Sequence, residues 1–213
     1  MIKKIIHQIW IGDQNKRPRE LMDTWKMPGW EYRLWTEKEI DELKLKNILA
    51  YKFLMNLKSY AGASDIVRIE ILRKFGGIYI DADTERLENI DNAPFMKAEF
   101  FAVQANKNKG VPLSQTRIAN GIMGCEPDHP LIKRYIDAIG KTKVFIPAWR
   151  TIGGTLLTQC IYDHFVASGD KGIMLLDPHT FYPFDSQGVP SRTQGKSYAR
   201  HIWGSTHRLY GKI

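Results

Sequence analysis

What this chain has little of narrows its identity first. It holds two cysteines, Cys125 and Cys160, too few for the disulfide framework of a small secreted domain and without the spacing of a zinc site. Such thiols fit a reducing compartment. No apolar run approaches the roughly eighteen residues of a membrane span. The apolar stretch opening at Met1 is broken by His7 and Gln8 and has no small-residue cleavage site, so it does not read as a signal peptide. A soluble, cytoplasmic protein is expected. Neither a linker nor a repeat interrupts the chain, and 213 residues with 43% hydrophobic content can bury one substantial core. A single domain over 1–213 follows. Acidic residues are missing altogether after Asp185, where Arg192, Lys196, Arg200, Arg208 and Lys212 stand alone. A second acid-free stretch carries Lys107, Lys109 and Arg117, in a loop marked by Gly110 and Pro112. With a net charge of +8, this surface attracts polyanions such as nucleic acid, acidic polysaccharide or anionic lipid, or else serves solubility and an anionic ligand.

What is present is concentrated in Phe75 to Asp83, where a glycine pair, Gly76 and Gly77, leads through the apolar Ile78, Tyr79 and Ile80 to Asp81 and Asp83. Side chains alternate along an extended segment, so the two aspartates share a face about 6 to 7 Å apart. Both then reach one ion. Mn²⁺ or Mg²⁺ takes oxygen ligands and is typically held by one or two carboxylates while phosphates complete its shell. Upstream, Ile66, Ile69, Ile71, Leu72 and Phe75 fall mostly at helical spacing, with Glu70, Arg73 and Lys74 as a solvated face joined by ion pairs along the helix. Ser64 reads as the N-cap. A helix from Asp65 to Phe75 covers about 15 Å, and a strand from Ile78 to Asp83 returns about 16 Å. The spacing therefore predicts Asp65 and Arg68 beside Asp81 and Asp83, at the carboxyl end of a strand, where open α/β sheets bind ligands.

Strands are expected at 5–11, 31–35, 78–81, 100–104, 118–123 and 173–176, and helices at 37–46, 48–58, 64–75, 130–140 and 154–167. Their interleaving predicts an α/β fold with a largely parallel sheet. Pro130 suits a first helical turn.

The segment Ala61 to Arg68, continuing through Gly76 to Asp83, resembles the DxD sugar-binding region of glycosyltransferase family 32, whose core motif the large clostridial glucosylating toxins share. The blocks Ile5 to Gly12, Pro28 to Trp35, Asn120 to Gly124 before Asp128 to Pro130, Gly153 to Leu157, Phe181 to Pro183 and His201 to Trp203 are similar to further family blocks in order, so the resemblance runs nearly end to end. It implies a single-domain GT-A (Rossmann-like) fold with a mixed, mostly parallel sheet flanked by helices. It further implies a metal-dependent, retaining transfer of a hexose or pentose from a nucleoside-diphosphate sugar, UDP-linked, to an acceptor hydroxyl. Carried over residue by residue, Trp10 stacks on the base, Ser64 and Tyr79 line the nucleoside pocket, and Asp65 and Arg68 hold the donor sugar. Asp81 and Asp83 carry Mn²⁺ or Mg²⁺, His201 and Trp203 close over the diphosphate with His201 a further metal ligand, and Asn120 faces sugar or acceptor. No Asp or Glu takes the role of nucleophile.

Other readings stay open at this point. Two aspartates after a strand also mark a solvated turn, Trp10 suits a core, and Asp65 with Arg68 makes a structural i,i+3 pair. His201 suits an exposed position and Trp203 an anchor for the tail. The run Ile78 to Thr84 fits the DxDxT pattern of haloacid-dehalogenase-like phosphatases, with Asp81 as nucleophile, although that motif normally opens the chain and its downstream acidic pair is spaced differently here. The acceptor is either a glycan or hydroxylated-base DNA. A catalytically silent nucleic-acid-binding module is the remaining alternative.

Overall fold

The computed structural model describes residues 1–105, 116–169 and 172–211. In chain order, these form β1 (Ile5–Ile9), α1 (Arg19–Asp23), β2 (Glu31–Trp35), α2 (Glu37–Asp41), α3 (Ile48–Asn56), α4 (Tyr60–Phe75), β3 (Gly77–Ile80), β4 (Thr84–Arg86), β5 (Phe100–Gln104), β6 (Ile118–Cys125), α5 (Pro130–Lys141), α6 (Gly154–Ser168), β7 (Ile173–Leu176) and β8 (Ala199–His201). Helix α1 and the short strands β4 and β8 lie outside the expected elements. Helix α2 ends five residues early. Lys107, Lys109, Gly110, Pro112 and Lys212 lie outside the described residues.

Six strands form one sheet in the order β2-β1-β3-β6-β5-β7, and β4 pairs with β8 in a separate ribbon. Strand β6 alone in that sheet runs against its neighbours. Alternation along the strands divides the core. Ile9, Tyr79, Phe100, Ala102 and Met123 face the layer of α3 to α6, while Ile6, Ile78, Ile80, Phe101 and Ile122 face Trp25, Trp30, Phe95 and Phe181. Each face hides apolar area worth about 25 cal/mol per Å² removed from water.

Helix α4 is the central support of the site. It is buried along most of its length, with Ile66, Val67, Ile69, Ile71 and Leu72 fully covered. It starts at Tyr60, so Ser64 sits in its second turn and is not the N-cap. Glu70 does not pair along its own helix. It accepts the Lys46 and Asn47 backbone N–H groups at 2.9 and 3.3 Å, ahead of α3, and Arg73 reaches Asp128 at 3.6 Å. Gly76 ends α4 at φ 65°, and Gly77 follows at φ 89°. A Cβ on Gly76 would fall 2.7 Å from Pro127, and one on Gly77 2.7 Å from the Ile5 carbonyl, so glycine is required at both for steric as well as conformational reasons. His129 and Pro130 start α5, the His129 Nδ1 accepting the Leu131 N–H at 3.2 Å.

The turn into β3 has a further support. His7 is fully buried on β1, its Nδ1 accepting the Trp35 indole N–H at 3.1 Å while its Nε2 meets the Gly76 carbonyl at 2.9 Å. An indole nitrogen only donates, so the ring is neutral, with its proton on Nε2. Burial drives the His7 pKa down to about 4, against the hydrogen bond to Gly76, which favours the charged form.

Candidate active site

The site lies at the carboxyl ends of the parallel strands β1 and β3, which deliver Trp10 and Asp81. The reversed β6 brings Asn120 and Gly121, from its first half, to the same edge: Ile80 pairs with Ile122, and the Asp81 N–H donates to the Gly121 carbonyl at 2.8 Å. Asp81, Ala82 and Asp83 do not continue the strand as expected. They form a tight turn closed by the Thr84 N–H donating to the Asp81 carbonyl at 3.1 Å. Proximity of the two carboxylates comes from that turn and not from strand alternation.

Strand β4 leaves the turn and pairs with β8, Thr84 opposite His201. The ribbon sets His201 Nε2 3.2 Å from Asp83 Oδ1 and 3.6 Å from Asp81 Oδ2. One ligand atom from each of Asp81, Asp83 and His201 lies within 4.8 Å of the others. The remaining carboxylate oxygens are already engaged. Tyr79 donates its hydroxyl to Asp81 Oδ1 at 2.7 Å, and Arg68 Nη1 reaches the same atom at 3.2 Å. Asp83 Oδ2 accepts the Gly204 N–H at 2.7 Å and the Tyr210 hydroxyl at 3.2 Å. The other oxygen of each, Asp81 Oδ2 and Asp83 Oδ1, faces His201 Nε2. A Cβ on residue 121 would fall 2.4 Å from Asp81 Oδ2, so Gly121 keeps that space open.

Two close carboxylate oxygens and an imidazole suit a hard or borderline divalent cation. Burial disfavours the His201 imidazolium, yet Asp83 and Asp81 outweigh it and raise the pKa to about 9. Burial likewise opposes the Asp83 carboxylate, and His201 with the Gly204 N–H more than compensates, holding its pKa below the usual range. The Trp203 N–H donates to His201 Nδ1 at 3.0 Å, which needs a lone pair there and works against the doubly protonated ring. With Nδ1 so engaged, the Nε2 proton points at the carboxylates. His201 would join a metal only by giving up the Trp203 contact, whereas Asp81 and Asp83 would only exchange the His201 proton they face for the ion.

Behind the carboxylates, Arg68 is buried between Asp65 at 3.1 Å and Asp81 at 3.2 Å, lies over the Tyr79 ring at 4.5 Å, and donates to the Ser64 and Asn120 carbonyls at 3.1 and 2.7 Å. Burial raises the Asp65 pKa to about 6, opposed by Arg68 and by Asn120 Nδ2, which donates to Asp65 Oδ1 at 2.7 Å. Asp65 stands behind the cavity wall, while Ser64, Arg68, Tyr79, Asp81, Asp83 and Asn120 line it. That cavity, about 650 Å³, runs from Trp10 to His201 and Trp203. Trp10 is mostly buried, and Tyr210 meets it edge-on at 5.0 Å. A second cavity of about 900 Å³ adjoins it, sharing Asn120, Tyr182 and Trp203 and continuing past Trp149, Thr155 and Gln159. Sequence reasoning gave no role to Tyr182, Tyr210, Gly121 or Trp149. Tyr182 and Gly121 belong to the quoted blocks Phe181 to Pro183 and Asn120 to Gly124, whereas Tyr210 lies in a tail with no motif.

Fold and site together define a GT-A type α/β fold with two aspartates and a histidine clustered at its strand ends. The family model described as capsular polysaccharide synthesis protein matches residues 2–140, and the chain belongs to that family. An uncharacterized glycosyltransferase of Acanthamoeba polyphaga mimivirus is 34% identical over 139 residues, 62% of this chain and 53% of the relative. A mannosyl phosphorylinositol ceramide synthase of Saccharomyces cerevisiae is 28% identical over 169 residues, 73% of this chain and 40% of the relative. The chain thus spans about half the length or less of these relatives. Among solved structures, the PaToxG glycosyltransferase superposes with a TM-score of 0.59 over 78% of this chain and 71% of that one, at 20% identity, a likeness of fold.

Proposed function

We propose that residues 1–213 act as one GT-A domain that transfers a hexosyl or pentosyl unit, with retention, from a UDP-sugar to the hydroxyl of a glycan acceptor. The observation that carries this reading is the cluster of Asp81, Asp83 and His201, whose ligand atoms lie within 4.8 Å of one another beside the Arg68 guanidinium, in a cavity lined by Trp10 and Asn120. Asp81 and Asp83 would hold Mn²⁺ or Mg²⁺, which when bound supplies Lewis-acid stabilisation of the departing diphosphate. Trp10 takes the base, bounded by Tyr210. Ser64 and Tyr79 shape the nucleoside end, and Tyr79 also orients Asp81. Arg68 supplies a fixed positive charge next to the donor, kept in place by Asp65 behind it. His201 and Trp203, carried in by the β4–β8 ribbon, cover the diphosphate.

The acceptor lies in the second cavity, with Asn120 at the junction. The basic tail that suggested a DNA acceptor is partly consumed internally, because Arg200 pairs with Glu85 at 2.6 Å and Lys196 with Glu88 at 3.2 Å. A glycan is favoured for that reason, in a soluble cytoplasmic enzyme. Among the described residues, no helix is long and apolar enough to cross a membrane.

The test is a donor panel of UDP-sugars, with GDP-mannose included because of the yeast relative's name, scored by thermal shift and hydrolysis with Mn²⁺ or Mg²⁺. A UDP-sugar is expected to stabilise the protein only with the ion present. Absence of shift and hydrolysis across the panel would remove the proposal, and phosphate-ester hydrolysis lost on Asp81→Asn would replace it with the phosphatase alternative. The anomeric proton coupling of the product reads out retention.

A further inference from the structure

Helix α3 carries apolar residues on the wrong side for a core element. Its Tyr51 and Leu54 are buried against the body, yet Leu49 and Phe53, with Leu57 capping the helix, are spaced four apart and are 82%, 46% and 49% exposed. A second group, Phe145, Ile146 and Trp149, is exposed on the loop after α5. The two segments adjoin. Ala148 lies where a Cβ on Gly62 would fall 2.6 Å away, with Leu54 of α3 at 3.2 Å from the same point, and Asn47 at the start of α3 donates to the Ile136 carbonyl of α5 at 3.0 Å. Of the fourteen exposed large apolar side chains among the described residues, eight lie on residues 48–60 and 145–149.

Charge singles out the same surface. Residues 43–64 hold Lys44, Lys46, Lys52 and Lys58 and no carboxylate, and residues 138–162 hold Lys141, Lys143 and Arg150 and no carboxylate. The acids nearest in sequence or contact are Asp41, Glu42, Asp65, Glu70, Asp137 and Asp163. Of these, Asp137 is paired with Lys46, Glu70 is turned to backbone N–H groups, and Asp65 is buried against Arg68. Large apolar side chains set among long cationic ones fit a lipid interface, where the apolar tips enter the headgroup and acyl boundary and the ammonium groups meet lipid phosphates. A protein partner with an acidic rim is the competing occupant, but neither cavity extends over Leu49, Phe53 and Phe145, which are 82%, 46% and 58% exposed.

We propose that this face docks the protein on an anionic phospholipid bilayer. Lys58 and Tyr60 at its edge line the first cavity and Trp149 lines the second, so docking sets both cavity mouths close to the membrane surface. The contact is independent of the transferase reading, because it is measured without donor or metal.

Co-sedimentation of the full chain with phosphatidylcholine vesicles, with and without added phosphatidylglycerol, tests it. The expected result is at least a tenfold preference for the anionic vesicles that weakens as salt rises. Leu49→Glu combined with Phe53→Glu should reduce binding at least tenfold, with unchanged far-ultraviolet circular dichroism. Should that pair fail to fold, Lys52→Glu combined with Lys143→Glu should reduce only the anionic component. A parent protein that stays in the supernatant at low salt overturns the proposal, as does a folded double variant that sediments like the parent. So does a parent dimer that Leu49→Glu with Phe53→Glu converts to monomer, which would make the face an interface between copies. Donor hydrolysis measured without vesicles reports separately on the transferase reading.

Discussion

Arg68 touches two aspartates in opposite conditions. Asp65 is buried, is tied to Arg68 and Asn120, and lies behind the cavity wall. The Asp81 side chain is 26% exposed, lines the cavity, and turns Oδ2 toward His201 at 3.6 Å. Residue type and neighbouring cation are the same, so what separates the two here is access to the cavity. The carboxylate behind the wall fixes the guanidinium in place, and the one that lines the cavity stands where a ligand can reach it.

The sharpest way to break this comparison is to change both ends. Asp81→Asn should lower turnover by about 10³-fold, roughly 4 kcal/mol, with unfolding by denaturant little changed. Asp65→Ala should cost about 3 kcal/mol of folding stability, because it leaves a buried guanidinium short of a partner. If Asp65→Ala abolishes turnover while leaving denaturant stability intact, Asp65 touches substrate and the division fails. A pH series sharpens the same point from the supporting side. His7 has a lower pKa folded than unfolded, so its stabilising effect is complete above about 6.5 and is lost as pH falls toward about 4. That loss should reach on the order of 2 to 3 kcal/mol by the lower limit, measured by urea unfolding across the window, and His7→Phe should flatten it. The smallest effect concerns Asp83. Tyr210→Phe removes one hydrogen bond to Oδ2 and should raise the donor KM several-fold, about 1 kcal/mol, leaving kcat nearly unchanged. Equal loss of kcat would place Tyr210 among groups acting on the reaction itself.

Much of the scaffold was legible because its signals are local. Helical spacing through Leu72, the glycine pair and the short apolar strand gave α4, the turn and β3, and the cancelling lengths put Arg68 beside Asp81. Four features were not legible, because local signal was missing or misleading. Reversal of β6 depends on a connection through residues outside the described set, and no periodicity encodes strand direction. Strands β4 and β8 span three residues each, too short for an alternation pattern to show. Ser64 looked like a cap because its side chain suits one, whereas tertiary packing extends the helix back to Tyr60. Tyr210 reaches Asp83 and Trp10 only through tertiary folding, with nothing in its neighbours to mark it. Asp81 and Asp83 were found by pattern, but they are close because of a turn that strand periodicity does not describe.

The β4–β8 pairing also has a consequence for synthesis. The carboxylate turn leaves the ribosome long before His201 and Tyr210 do, so a nascent chain holds two closely spaced negative charges without the imidazole and hydroxyl that later quiet them. The pocket takes its described form only after residues 199–210 have come back beside Thr84, which brings the His201 and Tyr210 contacts to the two aspartates.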